Sequence, residues 1–209
     1  MQLQPASTRY LETTGEEQKI FQLTLHATTP LTLTYQNDKE SGLTTFGPDL
    51  ATRHWQLESA DHQTRIAAVR RNETLSIEGT LSGEPIMRTL DLGDLPWYQA
   101  LSVSLRAIIE HPQGPREFWI LRPDTLDLHH MQVSELIART LELEGQVIPT
   151  WRLTIRLTGW QSYLWHAHYW LRQTDGRFVK YEGVSGPPGT PATVITLSSE
   201  EFAATQETH

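Results

Sequence analysis

Trp151-Arg152-Leu153-Thr154-Ile155-Arg156-Leu157-Thr158 and, shortly after it, Leu164-Trp165-His166-Ala167-His168-Tyr169-Trp170-Leu171 decide how this chain folds. In the first segment Trp151, Leu153, Ile155 and Leu157 alternate with Arg152, Thr154 and Arg156, the period of a strand with one buried face. The second alternates as well, with Trp165, Ala167, Tyr169 and Leu171 on one side and His166, His168 and Trp170 on the other. Aligning the two apolar rows through a turn at 159–162 avoids burying two histidines. Arg152, Thr154 and Arg156 are therefore expected beside His166, His168 and Trp170.

The next turn fixes a second register. A two-residue Asp175-Gly176 loop would set Tyr169 opposite Glu182 and Leu171 opposite Lys180, mixing charge into the core face. A three-residue Thr174-Asp175-Gly176 loop, with Gly176 in the left-handed bulge position, sets Leu171 against Val179 and Tyr169 against Tyr181. It keeps the core apolar and places His168 opposite Glu182 and Trp170 opposite Lys180. One sheet face is thus expected to carry Arg152, Arg156, His166, His168, Trp170, Lys180 and Glu182.

Period two extends outward from these strands. Residues 74–82 alternate with Leu75, Ile77 and Leu81 on one side, and further strands are expected near 21–26, 31–36, 54–59, 65–71, 85–92, 118–122, 127–133, 178–182 and 193–197. Short Gly, Asn, Asp and Pro turns join most of them, so an antiparallel meander is the economical topology. One segment breaks the pattern: Trp97, Leu101, Leu105, Ile108 and Ile109 share a helical face, Pro96 suits a first turn, and His111-Pro112 supplies a stop. A helix is expected over 96–110. The fold class expected is mainly β: a single-domain antiparallel meander forming an open or half barrel, with that helix packed in its concave face. A single domain over 18–197 follows, between a loosely ordered segment at 1–17 and a polar tail at 198–209. The Gly- and Pro-rich stretch 186–191 reads as a stiff connector, with a polyproline-reading partner as the lesser alternative.

The 209 residues, 38% of them apolar, suffice to bury a core without staples. A net charge of -8 argues against a broad phosphate-binding surface, so no nucleic-acid partner is expected. The absence of cysteine removes thiol catalysis, thiolate zinc sites and disulfides together. The first 25 residues hold no apolar run resembling a signal peptide, and no stretch reaches the ~18 apolar residues of a membrane helix. The chain as written is expected to be soluble and cytoplasmic, or periplasmic if a leader has been removed.

Function is less constrained. Two histidines two apart with a carboxylate on the neighbouring strand are a ligand set that zinc or iron can use, so His166, His168 and Glu182 define a metal-dependent enzyme as the alternative. Against it stand the cations Arg152, Arg156 and Lys180 on the same face, which repel a dication and suit an anionic ligand. His129 and His130, adjacent on a strand, point to opposite faces and cannot chelate together. No His-Glu-x-x-His helix, P-loop, dinucleotide fingerprint, calcium loop or nucleophile elbow is present. Seven tryptophans either fill a strongly curved sheet or line an apolar cavity within it.

Phe118-Trp119-Ile120-Leu121-Arg122-Pro123, the Trp170 strand, and Asp175-Gly176-Arg177-Phe178-Val179-Lys180-Tyr181-Glu182-Gly183 resemble the C-terminal half of a group of uncharacterised bacterial domain-of-unknown-function proteins. The likeness covers about half the chain. It implies a long antiparallel sheet curved around a helix, similar in outline to lipoprotein-carrier open barrels, and its motifs are structural rather than catalytic. Many members resemble exported proteins. The expected function is a non-catalytic ligand- or partner-binding protein without a cofactor, taking an apolar or anionic small molecule or a protein partner.

Overall fold

The computed structural model describes residues 4–114, 116–143, 145–159, 165–184 and 190–202. The first run of strands is β1 (Ala6–Thr14), β2 (Glu17–His26), β3 (Thr32–Gln36), β4 (Glu40–Phe46), β5 (Thr52–Ser59), β6 (Thr64–Arg71), β7 (Thr74–Leu81) and β8 (Glu84–Asp91). The helix α1 (Leu101–Glu110) follows. The second run is β9 (Glu117–Leu121), β10 (Leu128–Leu143), β11 (Gln146–Leu157), β12 (His166–Arg172), β13 (Phe178–Val184) and β14 (Ala192–Phe202).

All fourteen strands belong to one antiparallel sheet of order β8-β7-β6-β5-β4-β3-β2-β1-β14-β13-β12-β11-β10-β9. The expected meander is present, with one addition: β1 and β14 pair at the middle of the sheet, so the chain's two halves run outward from a shared centre. Laid flat, fourteen strands at ~4.8 Å spacing would hold the edges about 60 Å apart. The sheet instead curls until residues beside its two edges touch. Leu121 and Leu126 share a buried cluster with Trp55, Ile66, Leu75 and Ile77. Trp119 Nε1 donates to the Leu92 carbonyl at 2.8 Å, and an Arg88 guanidinium nitrogen donates to the Thr125 carbonyl at 3.2 Å. Strands β8 and β9 do not pair with each other, so the barrel stays open.

Helix α1 touches both halves of the sheet. Leu101, Leu105 and Ile108 share a cluster with Phe118, Met131, Val133, Leu153, Ile155 and Leu171, while Val103 joins Leu33 and Phe46. Its stop at His111 is as expected, but its start is not: the helix begins at Leu101, and 96–100 is not helical. Trp97 and Trp119 form a parallel bridge, the Trp97 carbonyl accepts from Thr52 N at 2.8 Å, and Trp119 N donates to the Pro96 carbonyl at 2.9 Å. The Gln99 side chain then imitates a strand neighbour: Nε2 donates to the Leu121 carbonyl, and Oε1 accepts from Leu121 N and from Trp97 Nε1. These lateral bonds occupy backbone groups that a first helical turn would need.

Two further expectations are corrected. Ala6–Thr14 and Ser198–Phe202, placed in the loosely ordered segment and the polar tail, are strand residues, all but the bulged Ser198 paired with one another or with neighbours, because Ala6, Thr8 and Tyr10 bury the inward side of β1. Strand β4 was absent from the expected set because its inward positions include Gly42 and Thr44, which carry no apolar alternation. Trp160, Leu164, the turn residues 160–162 and most of the 186–191 connector lie outside the described residues.

Candidate functional site

The face singled out in the sequence is assembled by register. Arg152 pairs with Trp170, Thr154 with His168 and Arg156 with His166 across β11 and β12. His168 pairs with Glu182, Trp170 with Lys180 and Tyr169 with Tyr181 across β12 and β13. Gly176 takes the left-handed conformation at φ 69°. Leu171 departs from expectation, lying opposite Phe178 rather than Val179. Arg172 N donates to the Arg177 carbonyl at 2.7 Å, so the turn spans one residue more than expected, and a bulge beside Trp170 restores the pairing.

Sharing a face does not make these seven residues equivalent. Trp170 is buried, with the Lys180 ammonium 5.0 Å from its ring centroid and Leu141 and Leu143 packed against its cluster. Lys180 Nζ also lies 3.2 Å from Glu182. Arg152 is bound at 2.7 Å to Glu135, a residue absent from the sequence-derived set. A register shift in β10 between Val133 and Glu135 brings that carboxylate opposite Thr154, and alternation alone could not have revealed it. Thr154 Oγ1 lies 3.1 Å from Glu135 Oε2 and 3.1 Å from His168 Nδ1. Hydrogen bonds from Arg152 and then Thr154 hold the Glu135 carboxyl below its ordinary range. Burial, followed by Arg152 and His166, holds His168 below the usual histidine value against the pull of Glu182 and Glu135.

His166 and His168 rings sit edge to face, 5.4 Å apart. Among the described residues no three His, Asp or Glu side chains gather into a group that could hold a metal, and His166, His168 and Glu182 form no such group despite their adjacency. His130 lies 2.9 Å from Glu117, on the strand beyond.

A second candidate lies inside the curl. A cavity of about 630 Å³ is lined by Tyr35, Trp55, Leu57 and Leu81, with Gln99 and Pro123 also bordering it. Its polar lining is Glu40, Ser59, His62, Thr64, Ser82 and Asp124. Ser59 is only 3% exposed, and its Oγ has no hydrogen-bond partner among the described residues. Asp124 is engaged by Arg122. Of the tryptophans weighed as cavity or core, Trp55 borders this space whereas Trp97 is wholly buried in the packed cluster beside it. A separate cavity of about 40 Å³ between α1, β1–β3 and the β12–β13 turn has room for little more than water. No helix among the described residues is long and apolar enough to cross a membrane.

No protein-family model matches the chain, and no curated protein matches it. Among solved structures, a beta-barrel-like protein of the domain of unknown function DUF1849 from Brucella abortus aligns over 97% of this chain and 99% of its own, at 11% identity and a TM-score of 0.63. The hypothetical lipoprotein YmcC from Escherichia coli aligns over 95% of this chain and 89% of its own, at 11% identity and a TM-score of 0.34. A LolA superfamily protein from Nitrosomonas europaea aligns over 97% and 88%, at 10% identity and a TM-score of 0.25. The first of these shares the fold along the whole chain, in keeping with the resemblance to uncharacterised domains built on a curved antiparallel sheet.

Proposed function

We propose that the chain is a single-domain open barrel, plugged by α1, that binds an apolar or amphiphilic small molecule without transforming it. The ligand lies in the cavity lined by Tyr35, Trp55, Leu57 and Leu81. The observation that carries this reading is the cavity itself. At about 630 Å³ it falls in the size range of small-molecule sites, roughly 300–1,000 Å³, and it lies beside an otherwise closely packed cluster. Its aromatic and aliphatic wall suits a hydrocarbon or ring system. The Gln99 amide is already committed to Trp97 and Leu121, so it leaves that wall apolar. Glu40, His62 and Asp124 accommodate a polar end. The metal-enzyme alternative lacks a comparable support, since the described residues contain no metal-holding group.

N-phenyl-1-naphthylamine fluorescence tests the proposal. The native chain is expected to bind the probe saturably and release it to a long-chain fatty acid. Leu57→Arg, which places a charge in the wall, is expected to weaken binding at least about tenfold, as loss of apolar contact plus charge burial requires. Absence of saturable binding, or binding indifferent to Leu57→Arg, overturns the proposal.

A further inference from the structure

We propose that Arg156, His166 and His168 form a binding site for a small oxyanion, a carboxylate or phosphate group, on the outer face of the sheet opposite the core. The argument begins with which cations are already engaged. Arg152 is paired with Glu135 at 2.7 Å, and Lys180 with Glu182 at 3.2 Å. Arg156 has no ion pair among the described residues, and its Nε, shielded from solvent, has no hydrogen-bond partner there. A guanidinium presents a planar fork of donors that matches the two oxygens of a carboxylate or phosphate.

The histidines complete the site. Arg156 lies directly across from His166, a separation of ~5 Å between Cβ atoms, and the His168 ring is 5.4 Å from that of His166. The ring nitrogens of His168 can be told apart. An ionised carboxylate only accepts, so the Thr154 hydroxyl proton goes to Glu135, and His168 Nδ1–H must donate to Thr154 Oγ1. Nε2 is then the nitrogen left for a ligand. An oxyanion held by Arg156 favours the imidazolium, which turns Nε2 into a donor, so binding draws a proton onto His168.

The groups facing His168 are Arg152, His166 and Lys180, with Glu135 and Glu182 as the carboxylates. Farther along the face, Glu117 lies two strands from Arg156 and is engaged by His130 at 2.9 Å. Glu135 and Glu182 each have their own cation and Glu117 is engaged by His130, so none is committed to Arg156.

The test titrates the full chain with inorganic phosphate and, separately, with acetate, at constant ionic strength made up with chloride. Histidine ring ¹H–¹⁵N correlations are followed. His166 and His168 are expected to shift saturably, His168 toward the imidazolium position, and the more effective anion identifies the oxyanion class. Arg156→Gln should weaken binding by about tenfold or more with the backbone spectrum unchanged, and Arg156→Lys, which keeps charge but loses the fork, should fall between. A linear drift common to wild type and variants, or saturation undiminished in Arg156→Gln, overturns the site. Probe binding in the inner cavity is expected to be the same in these variants, so the two proposals fail separately.

Discussion

The Tyr10 hydroxyl donates to the Phe178 carbonyl at 2.9 Å, joining residues 168 positions apart in the chain. Tyr10 also stacks on Phe21 and tilts against Phe178, each at 5.2 Å between centroids. Burial pushes its hydroxyl up to about 12, so it remains a donor at every physiological pH. Tyr10→Phe is expected to cost about 1 kcal/mol for the lost bond and the orphaned carbonyl. Tyr10→Ala should cost about 3–5 kcal/mol by the cavity it leaves. Urea unfolding measures both; two negligible losses would mean that β1 opens independently of the rest of the sheet.

Gly176 is constrained twice. Its φ of 69° disfavours any residue with a Cβ, and that Cβ would lie 2.9 Å from Arg106 Nε and 3.2 Å from two carbons of the same side chain. Arg106 is itself buried, so it has little room to withdraw. Gly176→Ala should cost about 2 kcal/mol or more, where a left-handed conformation alone costs ~1–2. Asn tolerates that conformation but not the contact, so Gly176→Asn should recover little. At Gly145, where φ is 76° and nothing lies within 4 Å, Asn should be nearly neutral. Melting curves for the three variants separate conformation from contact.

Acid should destabilise the fold before the carboxylates titrate. Burial first, then Arg152 and His166, lowers His168; burial first, then Arg122, lowers His129. With folded values below the unfolded ~6.5, the unfolded chain takes up protons earlier as pH falls. The stabilisation is therefore complete above that value and is lost on descending through the window beneath it. Urea midpoints measured from about pH 7 to 5 should decline, and a His129→Gln, His168→Gln double variant should decline less steeply. An equal slope in the variant would assign the effect to other groups.

Gln99 is expected to matter out of proportion to its size. Gln99→Leu removes partners from Leu121 N, the Leu121 carbonyl and Trp97 Nε1 at once. Stranded polar groups cost roughly 1–3 kcal/mol each where water cannot reach them, so a total of about 3 kcal/mol is expected. Thermal unfolding followed by tryptophan fluorescence checks it; a change below about 1 kcal/mol would show that water replaces the amide.

Alternation by itself determined the local registers, because a one-residue slip would have turned every side chain of β11, β12 or β13 to the wrong face. That is why His168 opposite Glu182, Trp170 opposite Lys180 and Tyr169 opposite Tyr181 are legible in the sequence. Tertiary structure decided what alternation does not encode. Val179 and Glu135 sit beside register shifts, and a bulge leaves no periodic trace. Residues 96–100 satisfy a helical pattern yet are drawn into lateral bonds with β9 and Thr52, since backbone donors answer to whichever acceptors the fold brings near. The inner cavity gathers Tyr35, Trp55, Leu57 and Leu81 from three strands, with Gln99 and Pro123 from beyond them. Periodicity says which side of each strand faces inward. How far the sheet curls, and so whether those inward side chains meet or leave a space, is set by contacts between segments far apart in sequence.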